Sequence, residues 1–168
     1  PSVDRTVFVD GLKLHESNRV LRTEMDAGGK GLNLSRIAHE CGAKTTALAY
    51  LGGEPAAMIR RALRLEEVPF VEIPVLGYTR LNVTIEDGSG EPPTTFNEKG
   101  PTISSQERSA FWTRFEELVS KAKWVAMGGS IPPGLQSNEY AELLKSARKA
   151  GAKVLVDADG EALKLAIA

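Results

Sequence analysis

The chain has 168 residues, a formal net charge of −1 and hydrophobic residues at 42% of its positions, so it is long enough for one domain with a sizeable core. The near-neutral charge argues against a general nucleic-acid binder, and no apolar run approaches the ~20 residues that span a membrane. The first residues lack a secretory-signal pattern and Cys41 is the only cysteine, so the cytoplasm is the expected location.

The first half of the chain alternates short strands, turns and amphipathic helices. Residues 5–9 and 18–25 are predicted as strands, each followed by a polar or glycine-bearing turn. A helix is predicted from Lys30, with its buried face formed by the apolar residues at helical spacing: Leu34, Ile37, Ala38 and Cys41. A strand over 45–51 and a helix over 56–65 should follow.

Alternating polar and apolar residues predict two further strands, near 80–86 and 93–97, joined by a glycine-rich turn. Strands with one polar face do not fit a buried parallel sheet. We therefore expect the segments near 5–9, 18–25, 80–86 and 93–97 to form a small second sheet, a lid. The α/β core should lie near 28–75 and 101–168. The stretch from Thr79 to Glu86 reads as an exposed edge strand, which proteins normally cover.

The second half predicts strands and helices in strict alternation. Ser104 and Glu107 have the spacing of a capping box, and Ser137 is the predicted cap of the next helix. Continuous apolar runs at 124–127 and 154–156 are typical of buried parallel strands, and a last helix follows Gly160. This order indicates an α/β fold with a mostly parallel sheet flanked by helices.

Three glycine-bearing turns, at 28–31, 128–134 and 157–160, should lie where such a sheet binds ligands, beyond the carboxyl ends of its strands. A helix N-terminus presents free N–H groups that suit phosphate, and Lys30 would add a cation. A glycine turn with a solvated lysine is an equally good interpretation. The run around Lys30 matches neither the dinucleotide-binding fingerprint nor the P-loop.

Three charged residues are candidates with ordinary alternatives. Arg80 could hold a phosphate bidentately, or it could be a surface arginine. Asp157 ends a buried strand, where functional carboxylates are common, or it caps the following helix. Asp4 would by itself be a solvated carboxylate near the terminus. The histidines and the cysteine predict no metal site, and no Ser/His/Asp set can be nominated.

Taken together, the motifs resemble the phosphofructokinase B branch of the ribokinase-like sugar kinases. Within this branch, the motifs resemble most those of the 1-phosphofructokinases and tagatose-6-phosphate kinases. The matching runs occur in the family's order over nearly the whole chain: Pro1-Ser2-Val3-Asp4, Gly28-Gly29-Lys30-Gly31-Leu32-Asn33, Thr79-Arg80-Leu81-Asn82, Asn97-Glu98-Lys99-Gly100-Pro101, Gly129-Ser130-Ile131-Pro132-Pro133-Gly134 and Asp157-Ala158-Asp159-Gly160.

This resemblance implies a ribokinase-like α/β core with a β-sheet lid that mediates homodimers. It also implies roles for six residues. Asp4 and Asn33 would bind sugar hydroxyls, Gly29 would approach the sugar, Lys30 and Arg80 would hold the substrate's phosphate, and Asp157 would lie near the metal and nucleotide phosphates. The implied reaction is ATP- and Mg-dependent phosphorylation of a ketohexose phosphate. Fructose 1-phosphate is the first candidate, before fructose 6-phosphate or tagatose 6-phosphate.

The family's Asn-x-x-Glu and Gly-Ala-Gly-Asp motifs, the second of which supplies the catalytic base, do not occur in these residues. The first core strand of the family, which should precede Pro1, is missing as well, so the expectation is a ribokinase-like domain truncated at both ends. The parent protein would be a carbohydrate kinase, and this chain alone would be inactive and hold no catalytic residue. A non-catalytic sugar-phosphate-binding module is the alternative.

Overall fold

The computed structural model describes all 168 residues, in eight strands and five helices. The elements in chain order are β1 Ser2–Val9, β2 Val20–Gly28, α1 Lys30–Glu40, β3 Ala47–Leu51, α2 Pro55–Leu65, β4 Phe70–Pro74, β5 Arg80–Glu86, β6 Thr94–Asn97, α3 Ser105–Val119, β7 Trp124–Gly128, α4 Glu139–Lys149, β8 Lys153–Asp157 and α5 Gly160–Ile167. None of the helices is long and apolar enough to cross a bilayer.

The strands with one polar face pair with one another in a four-stranded sheet of order β2-β1-β5-β6. β1 runs antiparallel to β2 and parallel to β5, and β6 returns antiparallel to β5. The prediction that Thr79 to Glu86 forms an exposed edge is wrong, because β5 lies between β1 and β6 and both of its sides are hydrogen-bonded. The edges of this sheet are β2 and β6.

The apolar strands form two parallel pairs, β3 with β4 and β7 with β8. Helix α1 contacts β2, β3 and β7, and so lies across both the four-stranded sheet and the parallel pairs. β4 is an element that the sequence analysis did not predict. It is only five residues long, follows Pro69, ends on Pro74 and contains a glutamate, and prolines weaken a strand signal.

Helix α1 buries a different face from the predicted one. Leu34 is 40% exposed and Ile37 60% exposed, and Cys41 is exposed as well. The buried residues are Leu32 and Ser35. Leu32 packs into the core formed with β1, β2, β3 and α2, and Ser35 lies against Thr45. The buried stripe is thus displaced around the helix, because the neighbouring strands, and not the apolar spacing, decide which side faces inward.

The two predicted helix caps have different outcomes. Ser104 forms the capping box with Glu107 at the start of α3, as predicted. Ser137 does not cap α4, because the N-cap residue is Asn138 and no side chain accepts from the first turn. The start of α4 is held by its first residue instead: the buried Glu139 accepts hydrogen bonds from Arg108 and from the Trp112 indole of α3.

Candidate functional site

Asp4 is the centre of a hydrogen-bonded group at the start of the four-stranded sheet. β1 begins at Ser2, earlier than predicted, so Asp4 is a strand residue and not a solvated carboxylate near a terminus. In register it lies between Asp26 of β2 and Asn82 of β5. The Ser2 hydroxyl and the Asn82 amide both donate to Asp4 Oδ1, at 2.8 and 2.9 Å. Its second oxygen, Oδ2, accepts no hydrogen bond from the protein.

Two consecutive glycines give the Asp4 carboxylate its space. A β-carbon at residue 28 would lie 1.9 Å from Asp4 Oδ2 and 2.9 Å from the Ser2 hydroxyl oxygen. Gly29 has φ of 111°, in the region that favours glycine, and a β-carbon there would be 2.8 Å from the Pro1 Cα. Any larger residue at either position would displace the groups around the carboxylate.

Helix α1 begins directly beside this group, with Gly29 as its N-cap. The first bond within the helix runs from the Asn33 N–H to the Gly29 carbonyl, at 2.9 Å. The N–H groups of residues 30–32 therefore have no partner within the helix, and such a terminus favours anions. Asn33 is exposed in the first turn, and its side chain is free to meet a ligand.

Lys30 and Asp157 form an ion pair between α1 and the end of β8. Lys30 Nζ lies 2.8 Å from Asp157 Oδ1, and the two side chains are 51% and 62% exposed. The hydrogen bond to Asp157 raises the pKa of Lys30. Asp157 is not a helix cap, because Asp159 occupies the N-cap of α5. Asp157 thus contacts another candidate residue instead of capping α5, while the paired Lys30 remains half exposed to water.

Arg80 extends from β5 toward the turn at 128–134. Its Nη1 donates to the Ser130 hydroxyl at 3.3 Å and to the Glu98 carbonyl at 3.5 Å. The turn is anchored behind Ser130 by the Tyr140 hydroxyl, which donates to the Gly129 carbonyl at 2.9 Å. Burial raises the pKa of Tyr140 to about 12, so this donor stays protonated at neutral pH.

The candidate residues therefore fall into two adjoining groups. Asp4, Gly29 and Arg80 lie around Ser2. The Ser2 hydroxyl donates to Asp4, and Ser2 is opposite Arg80 on one side and opposite Gly28, the neighbour of Gly29, on the other. Lys30 pairs with Asp157 one residue further along. The two cations have different partners: Lys30 donates to Asp157, and Arg80 donates to Ser130 and to the Glu98 carbonyl.

Ser2, Asn82 and Ser130 were not predicted as site residues, although all three lie in the matched runs. A signal for two of them was present. Side chains alternate along a strand, so Ser2 shares a face with Asp4 and Asn82 shares a face with Arg80. Ser130 had no such signal, since its contact with Arg80 spans 50 residues.

The titratable side chains do not by themselves make a metal centre. No three His, Cys, Asp or Glu residues are close enough to hold one ion. Asp157 is the one candidate that could contribute to binding of Mg²⁺ beside nucleotide phosphates. A single carboxylate is not a complete Mg²⁺ site, so nucleotide phosphates and water would have to supply the other ligands.

The geometry agrees with the comparison to known protein families. Residues 2–168 match the model of the pfkB family of carbohydrate kinases. The chain belongs to this family. Its members are sugar kinases, which use ATP in general, and the mixed α/β architecture is the ribokinase-like fold predicted from the ordered motifs.

Solved structures of pfkB-type kinases match almost all of this chain and about half of their own length. A possible 1-phosphofructokinase from Thermotoga maritima is 28% identical with a TM-score of 0.91, covering 99% of this chain and 53% of that protein. Escherichia coli phosphofructokinase-2 in complex with fructose-6-phosphate is 25% identical with a TM-score of 0.88, covering 99% and 55%. The tetrameric inhibited form of the latter enzyme is 26% identical with a TM-score of 0.86, covering 99% and 54%.

Proposed function

We propose that this chain is the sugar-phosphate-binding part of a cytoplasmic, ATP-dependent kinase for a ketohexose phosphate. Fructose 1-phosphate is the first candidate substrate, and fructose 6-phosphate and tagatose 6-phosphate come next. Membership of the pfkB family supports the class of reaction. The similarity to a possible 1-phosphofructokinase and to an enzyme crystallised with fructose-6-phosphate supports the class of substrate.

The observation that carries the proposal is the Asp4 carboxylate held beside two glycines. Because Ser2 and Asn82 occupy Oδ1, Oδ2 remains as an acceptor for hydroxyl groups, and a sugar has several. The absence of side chains at Gly28 and Gly29 leaves room for the Asp4 carboxylate and for Pro1. Asn33, in the first turn of α1, would bind a second hydroxyl.

The phosphate of the substrate would be held by Lys30, Arg80 and the N-terminus of α1. A phosphate monoester carries nearly two negative charges, and charge-assisted hydrogen bonds from two cations match it. Lys30 would exchange its Asp157 partner for the phosphate, because both are anions and the existing pair is half exposed to water. Asp157 would then be free to contribute to Mg²⁺ binding.

Calorimetric titration of the chain with fructose 1-phosphate tests this assignment. We expect Arg80→Ala to weaken binding by about tenfold or more, since hydrogen bonds to a charged group contribute roughly 1.5–3 kcal/mol. Arg114→Ala is the matched control, because this exposed α3 arginine pairs only with Glu117. Free fructose, which lacks the phosphate, should bind more weakly than fructose 1-phosphate. Equal affinity of the wild type and the Arg80 variant would refute the phosphate role.

The chain alone is proposed not to transfer phosphate. Phosphoryl transfer needs a positioned base for the attacking hydroxyl and groups that neutralise the transferring phosphate. Asp4 and Asp157 are assigned to sugar and metal binding, and loss of a catalytic base alone costs roughly 100- to 10,000-fold in rate. Purified chain with ATP, magnesium and fructose 1-phosphate should release no ADP above background. Turnover near ~1 per second, typical of an intact enzyme, would contradict this.

The intact protein is proposed to dimerise through the four-stranded sheet. The sheet face opposite Asp4 carries Val7, Met25, Val83, Ile85 and Phe96, and Met25 and Phe96 are 53% and 59% exposed. An exposed apolar face of this kind is typical of a protein–protein interface. The proposed interface is therefore this face, and not the strand Thr79 to Glu86, which lies inside the sheet. E. coli phosphofructokinase-2 has a tetrameric form. Sedimentation of the intact protein as a monomer at micromolar concentration would count against dimerisation.

A further inference from the structure

We infer that Asn82 is a positioning residue for the proposed sugar site: its side-chain amide fixes the direction of the Asp4 carboxylate. The expected effect on sugar binding rests on the proposed function, whereas the orientation of the carboxylate rests on the hydrogen bonds around Asp4. Asn82 lies directly opposite Asp4 in the parallel pairing of β1 and β5. It donates through Nδ2 to Asp4 Oδ1 at 2.9 Å, across 78 residues of sequence.

The orientation of the Asn82 amide follows from its neighbour. Nδ2 faces the Asp4 carboxylate, and a rotated amide would instead place the Asn82 oxygen against a carboxylate oxygen, with two acceptors in contact. In the observed orientation, Asn82 Oδ1 is buried and has no hydrogen-bond partner. An unpartnered buried acceptor destabilises a fold. The stability of the fold alone therefore does not explain an asparagine at position 82.

The Asn82 donor also decides which carboxylate oxygen remains available. The Ser2 hydroxyl, from the same strand, and the Asn82 amide, from the neighbouring strand, both donate to Asp4 Oδ1. Asp4 Oδ2 lies over Gly28, where any other residue would have its β-carbon. Without Asn82, only the rotatable Ser2 hydroxyl would hold the carboxylate. Asp4 would then sample other rotamers, and a bound sugar would have to order it.

The test replaces Asn82 with leucine, which has a similar size and neither donor nor acceptor. We expect Asn82→Leu to weaken fructose 1-phosphate binding by about tenfold, the lower end for a lost hydrogen bond to a charge, because Ser2 remains. Its urea midpoint should equal or exceed that of the wild type, since the orphaned oxygen is gone. Thr84→Val is the matched control: Thr84 is two residues further along the same strand face and bonds only Thr95. Its affinity should stay within about twofold of the wild type.

A ligand-free measurement separates this inference from the proposed function. Three-bond Hα–Hβ couplings of Asp4, measured by NMR, should indicate one rotamer in the wild type and averaging in Asn82→Leu. If the leucine variant does not fold, Asn82→Asp keeps the shape, replaces the donor with a like charge, and should show the same averaging. If the wild type binds no sugar phosphate, the proposed function fails while the couplings still decide the role of Asn82. A single Asp4 rotamer in the variants, or averaging already in the wild type, overturns the inference.

Discussion

The structure predicts how much the buried carboxylate at the start of α4 contributes to the stability of the fold once its partner is removed. Glu139 has a side chain 5% exposed and takes Arg108 Nε at 2.8 Å and the Trp112 Nε1 at 2.8 Å. Arg108→Met keeps the apolar stem over Trp112 and removes the charge. The variant would leave a buried carboxylate with the indole as its only strong donor.

Removing one partner of a buried ion pair costs roughly 3–5 kcal/mol. Arg108 is 37% exposed, so water can replace part of its contribution, and we expect a loss of about 2–3 kcal/mol in the free energy of unfolding. For a domain of this length each kcal/mol lowers the melting temperature by about 2–4 °C. The melting temperature should therefore fall by about 4–12 °C, and the urea midpoint by about 1 M.

Urea unfolding monitored by circular dichroism is the assay, with two companion variants. Arg108→Met combined with Glu139→Gln should recover about 1 kcal/mol or more, because the amide is neutral and still accepts from Trp112. Arg114→Met changes an exposed pair on the same helix, so it should cost less than about 1 kcal/mol. A loss below about 1 kcal/mol for Arg108→Met, or a double variant as unstable as the single one, would refute the reasoning.

Four smaller predictions concern the capping box, the ion pair and the glycine. Ser104→Ala should cost about 1 kcal/mol. The hydrogen bond from the Ser104 N–H lowers the pKa of Glu107. The Glu107 carboxylate therefore stabilises the fold above its ordinary pKa, and this stabilisation is lost as the pH falls below it. The difference in unfolding free energy between the wild type and Glu107→Gln should shrink between pH 7 and pH 3. Asp157→Asn should return the pKa of Lys30 toward its ordinary value and leave the urea midpoint close to that of the wild type, since the pair is exposed. Gly28→Ala should displace Asp4 and weaken fructose 1-phosphate binding by about tenfold.

These predictions are checked by urea titrations at several pH values, by NMR titration of the lysine side chain and by calorimetry. A Glu107 stability gap that does not change with pH would show that its carboxylate is not held as described. An unaltered Lys30 pKa in the Asp157 variant would argue that the ion pair is absent in solution. Unchanged binding in Gly28→Ala would mean that the carboxylate does not occupy the space above that glycine.

Local chemistry explains why much of the fold could be predicted. The capping box at Ser104 and Glu107 lies within four consecutive residues, and its geometry depends on nothing distant. The strand periods at 80–86 and 124–127 match β5 and β7 to within one residue, since alternation and apolar runs are local strand signals. They did not predict burial, because no residue of β5 or β7 is fully buried and Trp124 is 64% exposed. The ordered motifs also sufficed for the family, which the match over residues 2–168 confirmed.

Partners distant in sequence explain what could not be predicted. The buried face of α1 depends on β2 and β3, so the apolar spacing of Leu34 and Ile37 indicated the wrong side. The position of β5 inside its sheet depends on its parallel pairing with β1, which lies at the start of the chain. Neither relation leaves a local pattern.

By itself, the sequence determined the types of all elements except β4, the α/β class, the family and the glycine turns, because periodicity, capping and ordered motifs depend on neighbouring residues. Only the tertiary structure decided what the charged side chains do. It paired Lys30 with Asp157 across 127 positions and brought Asn82 to Asp4 across 78. The reason is physical: a carboxylate or an ammonium group is directed by whichever donor or counter-charge the fold places within about 3 Å of it, and that neighbour is set by strand order and register.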